Sequence, residues 1–248
     1  MTFHYIGSEL ELFARATNWK AYIGGILRPF VAGRVLEIGA GIGSNISYIH
    51  NRLVREWTCL EPDANLSRRI EDRLRTGELP ANCRVANGTI ASIVDDALFD
   101  TILYLDVLEH ISDDRAELVF ARRHLAAQGN LVVLAPAHQF LFTAFDATIG
   151  HHRRYNRTRL RALTPPGCRL TDCFMLDCAG FFASLANKIL LSAALPSPRQ
   201  ITVWNDLLVP VSRILDRSIA YSFGKTIVAV WRSLAVEENC IPQLAGTG

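Results

Sequence analysis

The chain has 248 residues, half of them hydrophobic, and a net charge of +2. Such a chain can bury a sizeable core as one α/β domain, and so small a charge argues against nucleic acid or an anionic membrane as partner. No run of about 18 apolar residues marks a membrane span, the start Met1 to Tyr5 lacks a leader pattern, and six scattered cysteines form no C-x-x-C pair, so a cytoplasmic protein with reduced, buried thiols is expected.

The chain opens with aromatic and apolar residues at helical spacing over 8–30, including Leu12, Phe13, Trp19, Tyr22 and Ile23. Arg34-Val35-Leu36-Glu37-Ile38 predicts a buried strand, followed by glycines and a helix over 44–53. A second strand, 57–60, ends at Glu61-Pro62-Asp63, and a charged helix over 64–76 follows with Asp63 as its N-cap. Further strands are predicted at 84–86, 99–105 and 130–134, with a helix over 113–126 between the last two, started by Ser112 or Asp113. This alternation implies a parallel sheet covered on both faces.

Beyond residue 160 the pattern changes. Cys168 to Cys178 alternates like a strand, two apolar helices are predicted near 180–194 and 203–219, and 226–231 reads as a last strand. The two strands would form an antiparallel edge with a helical excursion between them.

The sharpest chemical signal is Glu37-Ile38-Gly39-Ala40-Gly41-Ile42-Gly43, placed after a strand and before a helix. Glycines permit a tight turn and close ligand approach, and the helix N-terminus offers free N–H groups. The dinucleotide fingerprint G-x-G-x-x-G fails at its third glycine, which is Ser44. Glu61, at the end of the second strand, lies at the separation expected of a carboxylate that grips ribose hydroxyls.

Four segments in order resemble class I S-adenosylmethionine (SAM)-dependent methyltransferases: Val35 to Gly43, Leu60 to Asp63, Phe99 to Ile111 and Gly129 to Pro136. The similarity covers roughly residues 30–160. Asn130 departs from it, standing where relatives carry glycine. The stretch Phe142 to Tyr155 resembles a bacterial type-11/12-like subgroup with a Gly-His-x-Arg-Arg-Tyr sequence, and ubiquinone-pathway O-methyltransferases are more distant relatives.

The resemblance implies an α/β, Rossmann-like, seven-stranded and mostly parallel sheet whose last strand is antiparallel. An N-terminal helical cap (1–30), a SAM-binding core (31–160) and C-terminal strands with a helical insert (161–248) would form a single domain. Among the implied cofactor residues, Gly39, Ala40 and Gly41 would pass beside the methionine part, Leu105 and Asp106 would line the methionine end near the sulfonium, Glu61 would hold the ribose, and Gly88 and Thr89 would flank the adenine, with Glu37, Asn45 and Pro62 completing the set. Tyr22 would join them from the cap, where Asn18, Trp19 and Tyr22 either shield the sulfonium or pack on the core, and Tyr5 is a candidate lid residue. S-adenosylhomocysteine (SAH) would be the product, and no metal is required.

In open parallel sheets, ligands bind beyond the carboxyl ends of the strands. The candidate catalytic residues there are His110, His151 and Tyr155. His138, His152, Arg153 and Arg154 are candidates for the acceptor. His110 is also readable as a loop anchor, and the two arginines as a pair tying the loop to Asp146 or Asp106. The expected reaction is methyl transfer to a small-molecule acceptor, oxygen or nitrogen before carbon, in bacterial small-molecule biosynthesis. Use of another SAM carbon, by cyclisation or aminocarboxypropyl transfer, and non-catalytic SAM binding stay open. So do a monomer or homodimer and peripheral lipid contact by the apolar 180–219 insert.

Overall fold

The structure is a computed structural model that describes residues 9–190 and 197–234. Tyr5, Leu191 and Cys240 lie outside the described residues, as do the side chains of Ile189 and Leu190.

Seven strands form one sheet in the order β3-β2-β1-β4-β5-β7-β6. They are β1 (Gly33–Ile38), β2 (Val54–Glu61), β3 (Cys83–Asn87), β4 (Phe99–Leu105), β5 (Leu125–Pro136), β6 (Cys168–Leu176) and β7 (Thr226–Ser233). The first five pair in parallel, and β7 runs antiparallel between β5 and β6. This is the seven-stranded Rossmann-like sheet expected, with the last strand reversed.

Successive strand residues point to opposite faces, so each central strand feeds two cores. Val35, Leu103, Val132, Leu134, Val228 and Val230 face one cluster, completed by Trp19, Ile23, Ile46, Ile70 and Trp204. Leu36, Ile102, Tyr104, Leu131, Val133 and Trp231 face the other, completed by Leu108, Leu118, Tyr155 and Leu160. Asn130 sits at the start of the buried part of β5, and its side-chain amide donates to the Phe30 carbonyl at 2.9 Å. The departure from glycine thus ties the sheet to the end of the N-terminal cap.

Helices differ from expectation mainly at their ends. The N-terminal helix is split into α1 (Glu9–Ala14) and α2 (Thr17–Leu27). Gly24 of α2 lies so close to the next helix that an added Cβ would meet the Tyr48 carbonyl at 2.3 Å, which is why glycine is tolerated mid-helix there. The helix predicted over 44–53 is a single turn, α3 (Ile46–Ile49). Asn51 ends it by donating to the Val31 carbonyl and accepting the Leu53 amide, which turns the chain into β2. In α4 (Ala64–Arg75), Asp63 accepts the amides of Asn65 and Leu66 as N-cap. In α5 (Asp114–Arg123), Asp113 rather than Ser112 is the cap and accepts the Ala116 amide.

Short helices α6 (Ala144–Thr148) and α7 (Arg157–Ala162) follow β5. The excursion between β6 and β7 comprises α8 (Cys178–Leu190), α9 (Pro198–Val203), a π turn (Trp204–Leu208) and α10 (Val209–Ser218). A buried polar knot fastens it. Asp177, at φ 65°, accepts from Trp204 Nε1 and Ser212 Oγ, each at 2.6 Å, and pairs with Lys225 at 3.3 Å. Asp216 accepts the amides of Asp177 and Cys178 and the Tyr22 hydroxyl.

Candidate active site

A cavity of about 900 Å³ opens at the carboxyl ends of β1, β2, β4 and β5. Its floor is the glycine loop, with Gly39 and Gly41 at φ 63° and 59°. Side chains rarely adopt such angles, and an added Cβ on Gly39 would strike Val107 at 2.7 Å. Gly39, Ala40, Gly41 and Asn45 all line the cavity, joined by Glu61 and Pro62 from β2 and by Leu105 and Asp106 from β4.

Glu61 is buried, and burial raises its carboxyl pKa against the amides of Asp63 and Gly41, which bind it at 2.9 and 2.8 Å. Asp106 has a strained φ of 55°. Its side chain is open to the cavity yet surrounded by protein, and desolvation pushes its pKa up to about 6, with His151 and Lys20 opposing.

Lys20 is a cavity residue that sequence reading missed. It lies on α2, seven residues after Phe13 and three before Ile23, so a lysine on the apolar stripe was the available signal. Its ammonium donates to Ser44 Oγ at 2.8 Å and Asn45 Oδ1 at 3.1 Å. Burial lowers its pKa to about 8, with Asp106 and Glu37 opposing. Trp19 also lines the cavity while packing on Trp204, ring centroids 5.5 Å apart. Asn18 is turned to α9–α10 and donates to the Asn205 carbonyl.

Opposite the glycine loop the wall is made by the 141–154 loop, α8, α9 and the π turn, with Phe145, Ala183, Ile201 and Leu208 among its apolar members. His110, His151 and Arg154 line this side. Asp146 organises it. His151 Nδ1 lies 3.0 Å from Asp146 Oδ1, and Arg154 reaches both Asp146 oxygens at 2.9 Å. Burial alone would raise the Asp146 carboxyl, but these partners hold it well below the usual carboxylate range. Arg154 is thus the loop tie to Asp146, its charge already engaged. The His110 ring stands edge-on to His151, with centroids 4.5 Å apart. Burial lowers the His110 pKa to about 4.

Several expected site residues are not brought to the cavity wall. Tyr22 is drawn away because its hydroxyl donates to Asp216 at 2.7 Å. Glu37 lies within the sheet, accepting Trp57 Nε1 at 3.0 Å, and desolvation raises its pKa to about 7. Gly88 and Thr89 sit behind Glu61: the Gly88 amide donates to the Glu61 carbonyl, and Thr89 starts a short turn. His138 lies 2.9 Å from the Gly224 carbonyl through Nε2 and packs among Phe140, Phe181 and Phe223. Arg153 is spent on the Ile111 and Ser112 carbonyls and on Asp114. The His152 amide donates to the Glu109 carbonyl. Tyr155, expected to be catalytic, is fully buried, its hydroxyl between the Leu108 carbonyl and Asp114. The five described cysteines are free thiols.

A methyltransferase-domain family model matches residues 10–167, well over half of the chain. The chain belongs to this family. The methyltransferase is thus a class I, SAM-dependent enzyme. The cavity suits that cofactor, because a floor bare of side chains at Gly39 and Gly41, a carboxylate at the end of β2 and a buried ammonium face one space. No curated protein matches its sequence. Its fold is similar to that of a geranyl diphosphate methyltransferase solved with SAM, at TM-score 0.64, 12% identity, and coverage of 92% of this chain and 91% of that one. Coclaurine N-methyltransferase, bound to N-methylheliamine and SAH, gives 0.59 at 13% identity over 86% and 71%. The [4+2]-cyclase SpnF gives 0.57 at 16% identity over 88% and 81%. Among the described residues no helix is long and apolar enough to cross a membrane.

Proposed function

We propose that this methyltransferase methylates a small molecule, at oxygen or nitrogen, with the acceptor held in the half of the cavity walled by α8, α9 and the 141–154 loop. The supporting observation is that the glycine-loop wall and a mostly apolar second wall enclose one space of about 900 Å³, near the upper end of the range for small-molecule sites. Among the described residues, cap, core and insert all contribute to its lining, which supports reading them as one domain.

SAM supplies a methyl group already activated on a sulfonium. Gly39 to Gly41 would let it approach the backbone, Glu61 would accept from its ribose hydroxyls, and Lys20 would pair with its carboxylate. Tyr22, Glu37, Gly88 and Thr89 support these residues from behind. What remains is alignment and water exclusion, supplied by Trp19, Ile201 and Trp204. Asp106, His110 and His151 stand where an acceptor hydroxyl or amine would meet the donor and lose its proton.

Calorimetric titration with SAH, then mass spectrometry of acceptor mixtures incubated with SAM, tests this reading. Micromolar binding, about −8 kcal/mol, and products heavier by one methyl are expected. A rearranged or cyclised product with SAM intact would favour a chemistry other than methyl transfer. His151→Ala should lower turnover while SAH still binds.

A further inference from the structure

Glu109 is completely buried, and neither of its carboxylate oxygens reaches a hydrogen-bond partner on another residue. An unsatisfied buried carboxylate is costly, and each instance calls for a partner. Its surroundings supply a specific one. The donor atoms of Glu109, His110 and His151 all lie within 4.8 Å of one another, and His151 Nε2 is 3.8 Å from Glu109 Oε1. Four donors about 2.1 Å from one tetrahedral ion stand about 3.4 Å apart, so small side-chain rotations bring these atoms onto a shared centre.

Two further features match metal-site design. The second nitrogen of His151 lies 3.0 Å from Asp146 Oδ1, the carboxylate–histidine relay that fixes the tautomer and orientation of a metal-bound imidazole. The His110 ring is held against the backbone at Ile149 and Gly150 and stands edge-on to His151, which fixes its place in the cluster. All three residues also line the cavity, so an ion among them would keep positions open toward the acceptor, as catalytic sites do.

We propose that Glu109, His110 and His151 bind one divalent first-row transition ion at the acceptor end of the cavity. Two imidazoles and a carboxylate favour zinc, cobalt, manganese or iron over magnesium or calcium. The inference rests on the proposed function only in placing the acceptor beside this cluster. It narrows that acceptor to one presenting a hydroxyl or enol oxygen, because a bound cation stabilises the oxyanion, whereas an amine gains no such advantage. It departs from the sequence expectation that no metal is required.

The test uses full-length, tag-free, chelator-treated protein titrated with Co²⁺, read by the visible absorption of histidine-bound cobalt, with Zn²⁺ as competitor. One saturable equivalent displaced by Zn²⁺ is expected. Glu109→Gln and His151→Gln should each weaken it at least tenfold, and Asp146→Asn, which removes the relay carboxylate together with the charge that pairs Arg154, roughly ten- to a hundredfold. SAH calorimetry on the same samples reports folding and the cofactor site. Normal SAH binding without a cobalt band, or a band unchanged in Glu109→Gln and His151→Gln, overturns the ion site and leaves the methyltransferase reading intact. A cobalt band that responds to these variants in protein that binds no SAH supports the ion site and counts against the cofactor assignment.

Discussion

Glu61 Oε2 accepts the amide of Gly41 at 2.8 Å, so the carboxylate ending β2 holds the glycine loop that leaves β1. The same carboxylate receives the Asp63 amide, at the start of α4. One side chain therefore fixes the shape of the cavity floor and stands where ribose hydroxyls would donate. Glu61→Ala is expected to weaken SAH binding by about 1–3 kcal/mol, the range for a lost buried polar partner. Calorimetry at fixed pH checks it, and unchanged affinity would sink the ribose assignment.

Lys20 predicts a pH dependence of binding. Its pKa is lowered to about 8 by burial, so it carries its charge below that value and loses it above. A ligand carboxylate facing it favours the charged form, so the midpoint in the complex lies at or above 8. SAH affinity should fall as pH rises through this region. Lys20→Gln should bind more weakly at neutral pH and lack that component of the profile. Parallel profiles for the two proteins would remove Lys20 from the ligand site.

Glu37 predicts a pH dependence of stability. Its folded pKa is raised from 4.5 to about 7 by desolvation. Between these values the unfolded carboxyl is ionised while the folded one keeps its proton, so stability falls as pH rises. Glu37→Gln removes that penalty and retains an acceptor for Trp57 Nε1. Relative to wild type, the variant should gain up to about 3 kcal/mol between those pH values, at about 1.36 kcal/mol per unit. Urea unfolding across the window measures the difference. A gain by wild type instead would mean that Glu37 is folded as an ion, paired with Lys20.

Asp177 predicts a stability loss in the insert. It accepts from Trp204 and Ser212 and balances Lys225, whose ammonium also lies 3.9 Å from the Trp204 ring centroid. Asp177→Ala leaves the buried Trp204 and Ser212 donors without their acceptor and the partly buried Lys225 ammonium unpaired, for which a loss of about 1–3 kcal/mol is expected. Urea midpoints at constant m-value read it. A loss below about 1 kcal/mol would mean that the knot contributes little.

The sheet was legible in the sequence because its signals are local. Val35 to Ile38 (Glu37 apart), Ile102 to Leu105 and Leu131 to Ala135 are apolar runs closed by Gly39, Asp106 and Pro136, and short runs of this kind fit strands buried on both faces of a covered parallel sheet. The glycine loop, the position of Glu61 and the Asp63 cap were legible for the same reason: each depends on residues within a few positions along the chain.

What the tertiary structure alone decided is which polar side chains face the cavity. Tyr22 and Lys20 are two residues apart on one helix. Tyr22 reaches Asp216, 194 positions on, while Lys20 turns to Ser44 and Asn45. His151 and His152, or Arg153 and Arg154, are indistinguishable by type and spacing. Asp146, Asp114 and the Ile111 carbonyl choose between them. Glu109 reads as an ordinary member of a family motif, and its missing partner appears only when His110 and His151 close around it. Strand periodicity is set by neighbours in the chain. The partner of a buried charge is set by whatever the fold brings within about 3–4 Å, and no local pattern encodes that.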